Sequence, residues 1–154
     1  VLHSRVKGKT EIRHVQGLIR IAPAQIQAQI ARSVRPIMRR IEPEVKTEAG
    51  TLPRRGGYAP LMARAVRVRT QVRQSGHRIN ARADVSARGK REERDVRAVN
   101  AGILRHPVFG RRKVWRVTNV LPGFVNRPID RARDRIVDAV KEARDDAAER
   151  IVRG

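Results

Sequence analysis

Apolar residues recur along the chain with two periods, and each period marks a kind of element. From Pro23 onward Ile26, Ile30, Val34, Ile37, Ile41 and Val45 return every three or four positions, which places them on one stripe of a helix. Pro23 suits the first helical position, where its missing N–H is not needed. The stripe runs straight past Pro36 and Pro43. An internal proline removes a hydrogen bond and crowds the preceding turn, so the pattern predicts a kinked helix, or two helices end to end, from about Pro23 to Ala49. Gly50 closes it, and TLPRRGGYAP reads as a connecting loop. At the far end Ile129, Ala132, Ile136, Val140, Ala143, Ala147 and Ile151 mark a long amphipathic helix from about Phe124 to Val152. Asp130, Arg131, Arg133, Asp134, Arg135, Asp138, Lys141 and Glu142 fill its outer face.

Between the helices the period falls to two. Val66, Val68, Thr70 and Val72 alternate with Arg67, Arg69, Gln71 and Arg73. After Ser75-Gly76, Ile79, Ala81, Ala83 and Val85 alternate with Arg78, Asn80, Arg82 and Asp84. This is a hairpin signature. With Ser75-Gly76 as the two-residue loop, Val72 stands opposite Ile79, Thr70 opposite Ala81, Val68 opposite Ala83 and Val66 opposite Val85, so one face is wholly core-like. The same register stacks Arg73 on Arg78 and Arg69 on Arg82, and only Arg67 has an acid, Asp84, across from it. Like charges directly opposed are destabilising. The ladder therefore calls for an outside partner, unless its long side chains splay into water.

The remaining segments are weaker signals. SARGKREERDVRAVN is charged and reads as loop with one helical turn, and AGILRHPVFG as an ordered turn. Arg112 to Leu121 reads as a third strand with Trp115, Val117 and Leu121 on one face, ended by Pro122-Gly123. Residues 1–12 suit a basic arm or a short edge strand, leaving 13–154 as a single domain. The layout predicts an α+β fold in which two helices cover one face of a small antiparallel sheet.

Composition limits what this fold can hold. With 154 residues and 40% hydrophobic content there is material for one core, and with aromatics at 3% that core is built from Val, Ile, Leu and Ala. Charge changes the picture most: 36 basic residues against 15 acidic give a net charge of +21. A chain so charged repels itself unless nucleic acid, an acidic protein surface or an anionic membrane neutralises it. Thirty of the 36 cations are arginine. That suits bidentate contacts to phosphate and carboxylate, and it also follows from a GC-rich genome.

Candidate chemistry is sparse. There is no cysteine, which excludes disulfides and thiolate metal sites. His3, His14, His77 and His106 show no metal-ligand spacing. The acid groups Glu42/Glu44, Glu92/Glu93/Asp95 and Asp145/Asp146 lie among arginines, as salt-bridged surface does. Ser4, Ser33, Ser75 and Ser86 fall outside any GxSxG elbow, and no GK[ST] follows Gly56-Gly57. The expectation is a non-enzymatic chain with no cofactor and no metal. No apolar run approaches a membrane span and no signal-type segment opens the chain, so a soluble protein made in the cytoplasm is expected. Sequence-specific nucleic-acid motifs are missing too, and Tyr58, Phe109, Trp115 and Phe124 are too scattered to form stacking platforms. Binding to nucleic acid would therefore be to phosphate, non-specific and steeply salt-dependent.

The stretches RRGGYAPLMARAVRVRT, ARGKREERDVRAVNAGILRHPVFG and VLPGFVNRPIDRARDRIVDAV together resemble the neck or tail-component family of siphophages, the gene-product-ten-like proteins of HK-type phages, especially those of actinobacterial phages. The resemblance runs from about Leu18 to the carboxyl end. Its most specific part is Gly102, Arg105, His106, Pro107, Phe109 and Gly110, followed by Trp115 and by Phe124 in the PGF that opens the last helix. In structural terms these residues read as a buried turn packing Phe109 and Trp115 into a small core. The resemblance implies a virion protein of the head–tail junction or upper tail, at a neck, connector or tail-terminator position. It implies a homo-oligomeric ring of about six or twelve copies, adjacent connector and tail proteins as partners, and packaged DNA met only through phosphates. The residues expected to meet a polyanion or a neighbouring subunit are Arg67, Arg69, Arg73, Arg78 and Arg82. A free-standing, non-specific nucleic-acid-binding protein is the alternative that the charge alone supports.

Overall fold

The computed structural model of the protein describes residues 2–7, 11–20, 24–53, 57–75, 78–88, 92–108 and 111–153. Their order is β1 (Leu2–Lys7), β2 (Glu11–Arg20), α1 (Ala24–Gly50), α2 (Tyr58–Ala65), β3 (Val66–Ser75), β4 (Arg78–Ala87), α3 (Glu92–Asn100), β5 (Ile103–Val108), β6 (Arg111–Asn119) and α4 (Asn126–Arg153). The fold is α+β, as the alternation of periods predicts. Pro23 lies outside the described residues.

Helix α1 is one uninterrupted helix carrying both prolines. Pro36 and Pro43 are seven residues apart and so share a face, and both are exposed. The carbonyls that lose a partner belong to Arg32 and Arg39, also exposed, so water replaces the missing bonds and the helix continues. The opposite stripe, Ile30, Ala31, Val34, Met38, Ile41, Val45 and Ala49, is fully buried and forms the centre of the core. It packs against β3 and β4 on one side and against α4 on the other.

The sheet differs from expectation in membership. Four strands lie in the order β1-β2-β4-β3, all antiparallel. The predicted hairpin β3–β4 is there, but its additional neighbour is β2, not the strand at 111–119. Residue 12 falls inside β2, and within 1–12 the described residues Leu2–Lys7 form β1, a short edge strand that pairs with β2. Strand β6 forms where expected and pairs instead with β5 in a separate two-stranded ribbon. The segment read as an ordered turn, 101–110, is thus mostly strand β5, and the charged stretch before it holds a nine-residue helix, α3. Helix α2, within the predicted loop and strand entry, went unread because eight residues give too few turns for a periodic signal.

The hairpin register also moves. Ser75 pairs with Arg78, and Val72, Thr70, Val68 and Val66 pair with Ala81, Ala83, Val85 and Ala87, so Gly76 and His77, which lie outside the described residues, fall between the paired ends. The slip is two residues, and an even slip leaves every side chain on its original face. Ile79, Ala81, Ala83 and Val85 are buried as predicted.

Helices α1 and α4 run antiparallel and are joined by a seam of ion pairs. Arg127 and Arg131 donate to Glu48 at 2.8 and 2.9 Å, and Arg135 donates to both oxygens of Glu44 at 2.8 and 2.9 Å. Burial raises the Glu48 carboxyl, but hydrogen bonds from Arg131 and Arg127 outweigh it and hold the group below its ordinary value. Glu42 is likewise lowered, first by the hydrogen bond from Lys46 and further by the Val68 N–H, against the opposing effect of burial. A carboxyl depressed in the folded state contributes stability above its unfolded pKa and loses it as pH falls through the folded value. Denaturant midpoints measured from about pH 6 down to pH 3 should therefore drop more steeply for wild type than for Glu48→Gln. Parallel curves would remove Glu48 from the seam's energetics.

Candidate polyanion and subunit surfaces

Two outward surfaces hold the residues singled out from the sequence. The first is the sheet face turned away from α1. The observed register sets Arg67 opposite Ser86, Arg69 opposite Asp84, Gln71 opposite Arg82 and Arg73 opposite Asn80. The expected Arg-on-Arg ladder does not form: the two-residue slip exchanges like-charge pairs for neutral or opposite ones, which is its physical advantage. Asp84 is the hub. Arg82 Nε donates to its carboxylate at 3.0 Å, Arg69 stands across from it on β3, and Arg13 stands across from it on β2.

The five predicted arginines thus have different situations. Arg69 and Arg73 are exposed. Arg67 is exposed too, but its guanidinium donates to the carbonyls of Arg64 and Val66 at 2.7 and 2.9 Å. Arg82 is half-buried and engaged with Asp84. Arg78 opens β4 across from Ser75, and its side chain lies outside the described residues.

The second surface is the β5–β6 ribbon. Ile103, Arg105 and Pro107 pair with Asn119, Val117 and Trp115, so Ile103, Arg105, Trp115, Val117 and Asn119 share one face; Leu104 and His106 pair with Thr118 and Arg116 on the other. Leu104 is buried and anchors the base of the ribbon, while His106 Nε2 lies 3.0 Å from Thr118 Oγ1. Every residue from Lys113 to Asn119 is exposed. Trp115 is 55% exposed and Val117 59%. The expectation of Trp115 buried in a small core is therefore corrected: a two-stranded ribbon leaving the body shows both faces to solvent, whichever way its side chains alternate. Phe109 and Gly110 lie outside the described residues. Two alternating runs around Phe109-Gly110 carry a hairpin signal, which Pro107 obscured because proline is confined to strand edges and bulges.

The rest of the motif forms a corner that ties the ribbon to the body. Gly102 has a φ of 91°, and a Cβ there would lie 3.1 Å from the Val120 carbonyl oxygen and 3.3 Å from Pro122. Its own carbonyl accepts from Val120 N–H at 2.9 Å. Gly123, φ 83°, donates its N–H to the Asn100 carbonyl at 2.8 Å. The Asn100 side-chain oxygen accepts from the N–H groups of Val125 and Asn126 at 2.9 and 3.4 Å. These are orphan donors at the start of α4, so a residue from α3 caps a helix 26 positions later. Phe124 is fully buried beneath the corner. Asn100 was missed because a cap is normally sought beside the helix it serves.

Among the described residues no group of three or more His, Cys, Asp or Glu side chains could hold a metal ion, and no helix is long and apolar enough to cross a membrane. Comparison with known protein families, curated proteins and solved structures returns no match for this chain.

The corner makes a direct prediction. Asn100→Ala should lower stability by about 1–2 kcal/mol, and Gly102→Ala by about 1–3 kcal/mol through strain at positive φ, both read as shifts in urea midpoint. A neutral Gly102→Ala would show that the corner relaxes freely.

Proposed function

We propose that this protein is a non-enzymatic structural subunit that assembles beside a polyanion, as a ring component of the head–tail junction of a tailed bacteriophage. The observation that carries the reading is the β5–β6 ribbon, which extends Trp115 and Val117 into solvent among cations. A hairpin of two strands is marginal by itself in water, and an exposed apolar patch rimmed by charge is what a subunit contact offers before assembly. The arginine face of the sheet supports the polyanion half, with Arg69 and Arg73 free to approach phosphates while Asp84 holds the centre of the face together. The particular setting rests on the likeness of the GILRHPVFG and PGF stretches to siphophage neck and tail components. In that setting the chain stands in the virion with adjacent connector and tail proteins and surrounds the DNA path.

Exposure of Arg69 and Arg73 also favours a second reading, a free-standing non-specific nucleic-acid-binding protein. The two readings part on location and on assembly. Purified protein, alone and with its neighbours in the phage, should form closed rings in negative-stain images and be found in assembled virions; monomers in every preparation would overturn the ring reading. Arg69→Gln with Arg73→Gln, which sets no like charge against Asp84, should fold normally and should flatten the plot of log affinity for duplex DNA against log salt by roughly two phosphate contacts. An unchanged slope would remove the sheet face from DNA contact.

A further inference from the structure

Charge is segregated along this chain in a way that the fold turns into two complementary surfaces. No carboxylate occurs between Asp95 and Asp130, a span that includes the whole ribbon. One face carries Ile103, Arg105, Trp115 and Val117, and Lys113 lies two residues before Trp115 on β6, all exposed. Acids then return together: of the 15 in the chain, seven lie on α4. Asp130, Asp134, Asp138, Glu142 and Asp145 follow one another at spacings of four, four, four and three, which aligns them on one stripe, and all are exposed.

The seam leaves this stripe acidic. Arg127, Arg131 and Arg135, which the sequence interleaves with these acids, are directed onto Glu48 and Glu44 of α1. Arg133, Lys141 and Arg144 remain on the outer side, with Arg133 bridging Asp134 and Asp130 at 3.2 and 3.9 Å. Beside the stripe Val137 is 40% exposed, an apolar contact in the middle of an otherwise charged surface.

We infer that the β5–β6 ribbon of one copy docks along the acidic outer stripe of α4 of the next, with Trp115 and Val117 against Val137 and with Arg105 and Lys113 among the α4 carboxylates. This rests on the assembly reading above and assigns its interface. The dimensions agree: Lys113 to Asn119 spans ~20 Å as strand, and Asp130 to Asp145 spans ~22 Å as helix. Ribbon-on-ribbon pairing is disfavoured because it would set Arg105 and Lys113 against their own copies. Duplex DNA has nothing apolar on its phosphate surface to cover Trp115 and Val117. Since ribbon and stripe are different surfaces of one subunit, the contact is head-to-tail, the kind that closes into a ring.

Sedimentation velocity on the full chain tests it with two variants whose changes lie at exposed positions outside the seam. Arg105→Glu with Lys113→Glu disables the ribbon, and Asp134→Lys with Asp138→Lys disables the stripe; each should weaken association by more than about tenfold with an unchanged circular dichroism spectrum. Each variant keeps one native surface and its altered surface is complementary to the altered surface of the other, so an equimolar mixture should recover assembly with the two variants in alternation. Combining all four changes in one chain exchanges the charges and should restore assembly, which a folding defect could not do. Wild-type oligomers matched by both variants would overturn this contact and leave the assembly reading standing. A wild-type chain that is monomeric at every concentration would overturn both. A ribbon variant that assembles normally but loses duplex DNA would assign the ribbon to nucleic acid and overturn the contact.

Discussion

The pairing of Glu44 and Glu48 with three arginines of α4 is the interaction on which the arrangement of this protein depends. In a chain with 36 cations and 15 anions, any two packed elements bring like charges together unless an acid is placed at their junction. Helix α1 offers an apolar stripe to both the sheet and α4, and burying it draws α4 alongside. Without Glu44 and Glu48 the arginines at 127, 131 and 135 would line that junction unneutralised. Half-exposed ion pairs contribute little one by one. Their role here is to make the apolar contact tolerable, and burial of Ile30, Val34, Met38, Ile41 and Val45 supplies the larger stabilisation.

The same economy of negative charge operates in the sheet. Asp84 is its one described acid outside β2, and the register of β3 on β4 puts it opposite Arg69 while Arg82 on its own strand bonds to it. A hairpin slipped by two residues would bury the same methyl groups and stack arginine on arginine. Hydrophobic burial selects the face, and electrostatics then selects between registers that burial cannot tell apart.

Once seam and sheet have used their acids, what remains outside is uneven. The ribbon and the sheet face are cationic, and the outer side of α4 is acidic. The Asn100, Gly102 and Gly123 corner holds the base of the ribbon against the start of α4, so the cationic ribbon and the acidic helix leave one common corner of the subunit. A fixed angle between two complementary surfaces is the geometric requirement for a closed ring, which is how local capping chemistry bears on the proposed function.

Much of this was legible in the residues. The periods of α1 and α4 and the inward face of β3 and β4 follow from spacing and polarity, because a helix or strand must turn its apolar side inward wherever it lies. The prolines at 36 and 43 look disruptive in isolation and are harmless because their spacing keeps them on the solvent side. What the sequence by itself determined is therefore which side chains share a face. Tertiary structure alone decided which faces meet: β2 beside β4, β6 beside β5, Asn100 on α4, and Trp115 in solvent. Alternation and periodicity describe one element at a time, whereas strand order, register between equivalent slips and the exposure of a ribbon depend on competition among distant segments for a small core and few carboxylates.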